Sequence, residues 1–284
     1  FWIAVRANRW EYSLLKYRWA ENPHGAEAPE WDWQDAIILK PGEQFPEQLA
    51  AGFEALGFDE NMWAEYAPPY DRLLIDAADD KAKRQMGWMT RIHPYTLDSG
   101  RILLPLYSDG FNVSLVAISD DNGETWRPSA PMVGLGPIQP TLVQKDDGTL
   151  AAYLRDSGEL PGRVMVSYSE DEGETWSPAV DTELPNPGSS LEAVELKSGN
   201  WLMILNDTEE GRHRLSAFLS DDEGQTWGWK RVVEPGPEGG SSFSYPSVIQ
   251  GRDGGVHLTY SARTDQGSCI RYARITEAWI KGGE

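Results

Sequence analysis

With a single cysteine, Cys269, the chain can form no internal disulfide, and cysteine usage leaves its redox compartment open. No apolar run approaches the roughly 20 residues of a membrane span, so no membrane-spanning segment is expected. Positive charge is scarce: 25 Lys and Arg face 45 Asp and Glu, a formal net charge of −20. Duplex nucleic acid and anionic membranes would be repelled, and neither is expected as a partner. Histidines number four, and His24 and His257 stand at no metal-ligand spacing. Neither a phosphate-cradling Gly loop nor a nucleophilic Ser elbow is visible, so no metal and no cofactor is expected. An initiator Met and a signal-peptide pattern are missing as well. We therefore expect a processed start or a sequence that begins inside a larger protein.

Present in abundance are 13 Trp, 28 Gly and 19 Pro among 284 residues. Many short strands, tight turns and large packing rings follow from that mixture, and the fold class expected is all-β, in one domain over 1–284. An internal repeat sharpens this. Three octets, SDDNGETW (119–126), SEDEGETW (169–176) and SDDEGQTW (220–227), obey S-x-D-x-G-x-T-W and start 50 and 51 residues apart. Each follows an alternating apolar stretch. Ser and Asp side chains can bond turn N–H groups, Gly allows a positive φ, and Trp can bury its ring between neighbouring sheets. The octet thus reads as a hairpin turn, and its acids as structural.

A second repeat lies upstream of each octet, at 91–109, 137–156 and 189–207, and recurs at 244–262 without one. Each copy reads as strand, Gly-containing turn, second strand. Two strands before the octet and one on each side of it make a four-stranded blade of about 50 residues. Residues 1–39 read as outer strands of an earlier blade. Residues 43–85 read as an insertion, with Leu49, Phe53 and Leu56 at helical spacing and Pro68-Pro69 breaking it. Trp2, Trp10, Trp31 and Trp33 read as core and rim packing.

The octet resembles the Asp-box of the sialidase superfamily, over about residues 86–280. That resemblance implies a β-propeller of six four-stranded antiparallel blades. About five are visible, so at least a blade's worth of sequence is expected upstream. It also implies a carbohydrate substrate and a secreted or periplasmic location. Inner strands of a propeller line its channel, so equivalent repeat positions should converge. One set is His93, Gln139, Ser190 and Tyr245. The other is Tyr107/Asp109, Arg155/Asp156, Asn206/Asp207 and Ser261/Arg263. Varied polar residues at matching positions fit a site built by several blades. His93, Gln139, Arg155, Asp207 and Tyr245 are expected to line one pocket.

FSYPSVIQGRDGGVHLTY is similar to the sialidase segment carrying the catalytic Tyr, which implies a nucleophilic role for Tyr245. Arg91-Ile92-(His93)-Pro94 resembles the Arg-Ile-Pro segment of the carboxylate-binding triad, and Asp109 falls where the acid/base Asp belongs. The pattern departs elsewhere. Ser190 stands where the activating Glu is expected, with Glu192 two residues on, and Asn206 stands where a triad Arg is expected. Arg155, Arg212 and Arg263 are the available replacements. Asp156 and Asp207 suit a general acid or a pair flanking a glycosidic bond; both also suit turns held by Asp side chains. Three activities remain open: an exo-glycosidase on an anionic sugar, with sialic acid the first candidate; a uronate-directed lyase using His93 and Tyr245; and a glycan-binding propeller without turnover.

Overall fold

The apolar stretches and Gly-containing turns form antiparallel sheets throughout a computed structural model that describes residues 2–6, 9–20, 28–31, 33–57, 70–158 and 161–282. The chain divides into two compact units, Phe1–Pro131 and Met132–Glu284.

In the first unit, β1 (Trp2–Arg6), β2 (Arg9–Trp19) and β3 (Trp33–Ile37) form a three-stranded sheet in that order. The insertion supplies the helices α1 (Phe45–Leu56), α2 (Tyr70–Asp79) and α3 (Lys81–Arg84). The helical spacing noted in the sequence is real: Leu49 and Phe53 are buried, and Gly57 caps α1 in the left-handed conformation at φ 66°. Pro68 and Pro69 lie outside the described residues. Arg84 is buried because its guanidinium donates to three carbonyls, of Pro41, Ala78 and Asp79. Phe45, Trp88 and Phe111 meet at ring-centroid separations of 5.6–6.2 Å, tying the helices to the following sheet. That sheet is four-stranded: β4 (Tyr95–Thr96), β5 (Ile102–Ser108), β6 (Val113–Ser119) and β7 (Arg127–Pro128). Trp31 and Trp33 lie on the surface rather than in a core, at 54% and 41% exposure, with Trp33 edge-on to Tyr17. The side chains of Trp2 and Trp10 lie outside the described residues.

The second unit holds two four-stranded sheets and a three-stranded one. The first comprises β8 (Pro137–Gln144), β9 (Leu150–Asp156), β10 (Arg163–Ser169) and β11 (Val180–Pro185). The second comprises β12 (Glu192–Glu195), β13 (Trp201–Leu205), β14 (Arg214–Ser220) and β15 (Trp229–Pro235). The last comprises β16 (Ser242–Gln250), β17 (Val256–Thr264) and β18 (Gly267–Ile275), followed by the single-turn helix α4 (Glu277–Ile280). The period-2 rule explains how the middle sheet is buried on both sides. Trp201, Met203 and Leu205 face the β8–β11 sheet, while Leu202 and Ile204 face the β16–β18 sheet. Side chains also join the first strands of successive sheets. Thr141 Oγ1 donates to the Ala193 carbonyl at 2.9 Å, and the Val248 N–H donates to Glu192 at 3.1 Å.

All three octets span the turn between a sheet's third and fourth strands, as the repeat predicts. In each, the Asp carboxylate accepts from the preceding Ser hydroxyl and from the backbone N–H and hydroxyl of the Thr. The Ser oxygen in turn accepts the glycine N–H. Glycine carries a positive φ, and so does the residue before it (Asn122, Glu172, Glu223), a pair that favours the twist of a hairpin. Hydrogen bonds from Thr125 and Thr226 hold Asp121 and Asp222 below the usual carboxylate range. The fold class is all-β, of antiparallel propeller-type blades with a small helical insertion.

Candidate active site

Tyr245 and Gln139 occupy equivalent places in the repeat, and their backbones are distorted alike. Tyr245 has φ 54° and Gln139 φ 56°, in the left-handed region that non-glycine residues rarely enter. Each is followed by proline and sits in a bulge. Ser244 pairs with Ser261 and Ser247 with Thr259, leaving Tyr245 and Pro246 opposite one residue, Tyr260. Ile138 pairs with Arg155 and Thr141 with Tyr153, leaving Gln139 and Pro140 opposite Leu154. Proline suits the unpaired position because it has no N–H to lose. Bulges re-aim side chains, and backbone strain of about 1–3 kcal/mol persists where the surroundings enforce it, commonly at functional sites. Tyr245 is 44% exposed whereas Gln139 is buried.

Beside Tyr245 stands Arg212, from the β13–β14 connection. Its guanidinium carbon lies 5.8 Å from the Tyr245 ring centroid, and Nη2 donates to the Gly188 carbonyl at 2.9 Å. Asn206 fixes that connection by donating to the carbonyls of Arg214 at 2.7 Å and Phe243 at 3.1 Å. Its amide nitrogen is thereby occupied within the fold. Glu192, fully buried, reaches β16 through Val248, three residues from Tyr245. Among the described residues, Gln139 Oε1, Ser190 Oγ and Asn206 Oδ1 are buried without a hydrogen-bond partner. All three stand at the repeat positions singled out above. Such orphaned polar atoms cost about 1–3 kcal/mol each, and Ser13 Oγ, Ser189 Oγ, His213 Nδ1 and Ser241 Oγ share that condition.

The two candidate aspartates differ in circumstance. Asp207 is buried, and its carboxylate accepts from Arg214 Nε at 2.9 Å and Ser216 Oγ at 2.8 Å, and is ion-paired with Lys230. Burial pushes its pKa up, but these partners override that and leave it below the usual range. A carboxyl so held is a poor proton donor at neutral pH. Asp156, at the end of β9, accepts backbone N–H groups of Gly158 and Arg163 at 2.6 and 3.1 Å. Burial raises its pKa to about 6, against the opposing pull of those bonds.

A raised carboxyl pKa means that the folded state resists ionisation. Its stabilising effect is present below the unfolded value of about 4 and is lost as pH rises through about 6. Asp156→Asn is therefore expected to gain on the wild type by on the order of 2–3 kcal/mol between pH 4 and pH 7. Urea unfolding of both proteins at the two pH values measures this. A constant gap would contradict it.

Arg155 is half-buried opposite Ile138. Arg91, half-buried, and His93 and Asp109, both exposed, belong to the first unit. Arg212 and Arg263 share an open cleft of about 640 Å³ in the second unit, with His213, Ser241 and Ser242 among its lining. Sequence reasoning found its arginines but missed Ser241, Ser242, Glu238 and Asp265. The GPEGGSS run at 236–242 was the available signal. His24 lies outside the described residues.

The family model for a BNR repeat-like domain matches residues 80–258. A sialidase of Micromonospora viridifaciens is 31% identical over 173 residues, covering 58% of this chain and 25% of that protein. The chain thus spans about a quarter of that relative. A leech intramolecular trans-sialidase superposes over 95% of this chain and 37% of its own, with TM-score 0.62 at 17% identity. Trypanosoma rangeli sialidase superposes over 96% and 42%, with TM-score 0.55 at 15% identity. At those identities the likeness is one of fold.

Proposed function

The chain belongs to the BNR repeat-like domain family, and from that premise we propose that it is an exo-glycoside hydrolase releasing an anionic terminal sugar, with sialic acid the first candidate. One observation carries the reading: Tyr245 is held in a strained bulge, partly exposed, with the Arg212 guanidinium against its ring. A neutral phenol can approach an anionic sugar without the repulsion that a carboxylate nucleophile meets. Arg212 supplies a cation beside the site that suits an anionic sugar.

In the proposed reaction, Tyr245 Oη bonds to the anomeric carbon as the bond to the leaving oxygen breaks. The phenolic proton passes to Glu192, and the leaving oxygen is protonated by a general acid. Water then attacks the same carbon and gives its proton back to that acid, while Tyr245 recovers its own from Glu192. Gln139 and Arg155 would bind sugar hydroxyls and the carboxylate.

The test is incubation with sialylated, uronate-containing and rhamnosylated glycans, followed by mass spectrometry. Free sialic acid, with one water added per bond cleaved, is expected. An unsaturated product would replace hydrolysis by elimination. Glycan bound but unchanged would make the protein a lectin.

A further inference from the structure

The cleft that Arg212 and Arg263 share is distinct in its lining from the surroundings of Tyr245. Three connections build it: residues 210–213 between β13 and β14, 238–241 before β16, and 263–265 at the turn into β18. At about 640 Å³ it is of the size that holds a small ligand.

Its charges are of both signs. Arg163, Arg214, Arg271 and Arg274 of the same unit are each ion-paired to a carboxylate. By contrast, among the described residues neither Arg212 nor Arg263 makes an ion pair; the Arg212 guanidinium donates to the Gly188 carbonyl and lies beside the Tyr245 ring. Arg263 is exposed, paired through its backbone with Ser242 on β16. Glu210, Glu238 and Asp265 are exposed around the same cleft. Guanidinium donors suit one carboxylate or sulfate, and carboxylates suit hydroxyl donors. A polyanion would be repelled by three carboxylates against two arginines.

We propose that this cleft is a second sugar subsite, taking a hydroxyl-rich residue with one anionic group, next to the sugar bound at Tyr245. Arg212 touches both places, through the Tyr245 ring and through the cleft lining, so the two sugars would be neighbours in one glycan. The neighbour relation rests on the proposed action at Tyr245; the anion-binding cleft stands without it.

Calorimetric titration tests it with three disaccharides: neutral N-acetyllactosamine, its 6-sulfated form, and digalacturonate. At least one charged disaccharide should bind tenfold or more tighter than the neutral one. The arm that responds identifies sulfate or carboxylate as the anion. Arg263→Ala should abolish that preference, and the exposed side chain can be removed without disturbing a packed core. Tyr245→Phe should keep the preference while losing turnover. Equal binding of all three, a preference that survives Arg263→Ala, or tighter binding of heparin than of any disaccharide would overturn the proposal. Turnover retained in Tyr245→Phe, with the Arg263-dependent preference intact, would overturn the hydrolase reading alone.

Discussion

Tyr245→Phe should lower turnover on the true substrate by a factor on the order of 10² or more, the usual consequence of deleting a group that takes part in bond making or proton transfer. The substitution is narrow. Phe keeps the ring beside Arg212 and the same backbone demand at φ 54°, and removes only Oη. Melting temperature should therefore stay within about 2 °C of the wild type, because surface changes of this kind alter stability by at most ~0.5 kcal/mol. Steady-state rates on the substrate found by the glycan panel, with a thermal melt alongside, separate the two effects. A variant that turns over normally would leave Tyr245 with an architectural likeness only, and the reacting group would lie elsewhere.

Gly224→Ala should be far more damaging than the matching change in the first octet. The added Cβ would lie 2.2 Å from Tyr153 Oη and 3.0 Å from the Trp201 ring, at a backbone φ of +77°. Tyr153 and Trp201 are almost wholly buried and have little room to yield. Strain and overpacking together should cost about 3–5 kcal/mol. The matching glycine of the first octet provides the control. A Cβ on Gly123 would meet only Trp126, at 3.6 Å, so Gly123→Ala faces the φ penalty alone, about 1 kcal/mol. Urea denaturation of the two variants reads the difference. Equal losses would mean that the third octet is no more tightly packed than the first.

The contrast between these glycines shows what the sequence could convey. The octets were legible because their bonds are made inside eight residues, so residue type and spacing alone imply the turn. Strands were legible from alternation, and the helical insertion from Leu49 and Phe53. Interactions between distant segments were not. Nothing in the residues near Gly224 announces that Tyr153 lies over it. Asn206 and Asp207 read as site residues because they stand at matching repeat positions. Their amide nitrogen and carboxylate are nevertheless occupied by β14, β15 and β16 neighbours, a pairing that register decides. The bulges at Gln139 and Tyr245 left one trace, a following proline at each, but His93-Pro94 carries the same trace without a positive φ. The cleft escaped notice because residues more than 50 positions apart build it.

The closed hydrogen-bond set of each octet also bears on how the chain folds. The side-chain hydrogen bonds that join Ser119, Gly123, Asp121 and Thr125, and their counterparts, span at most four residues. Forming them closes no long loop and so carries little of the entropy that delays non-local β pairing. The three turns are places where third and fourth strands can meet within microseconds, before first strands have found their neighbours. Hairpins at the octets are therefore expected to form first, and the strained strands that bear Gln139 and Tyr245 afterwards.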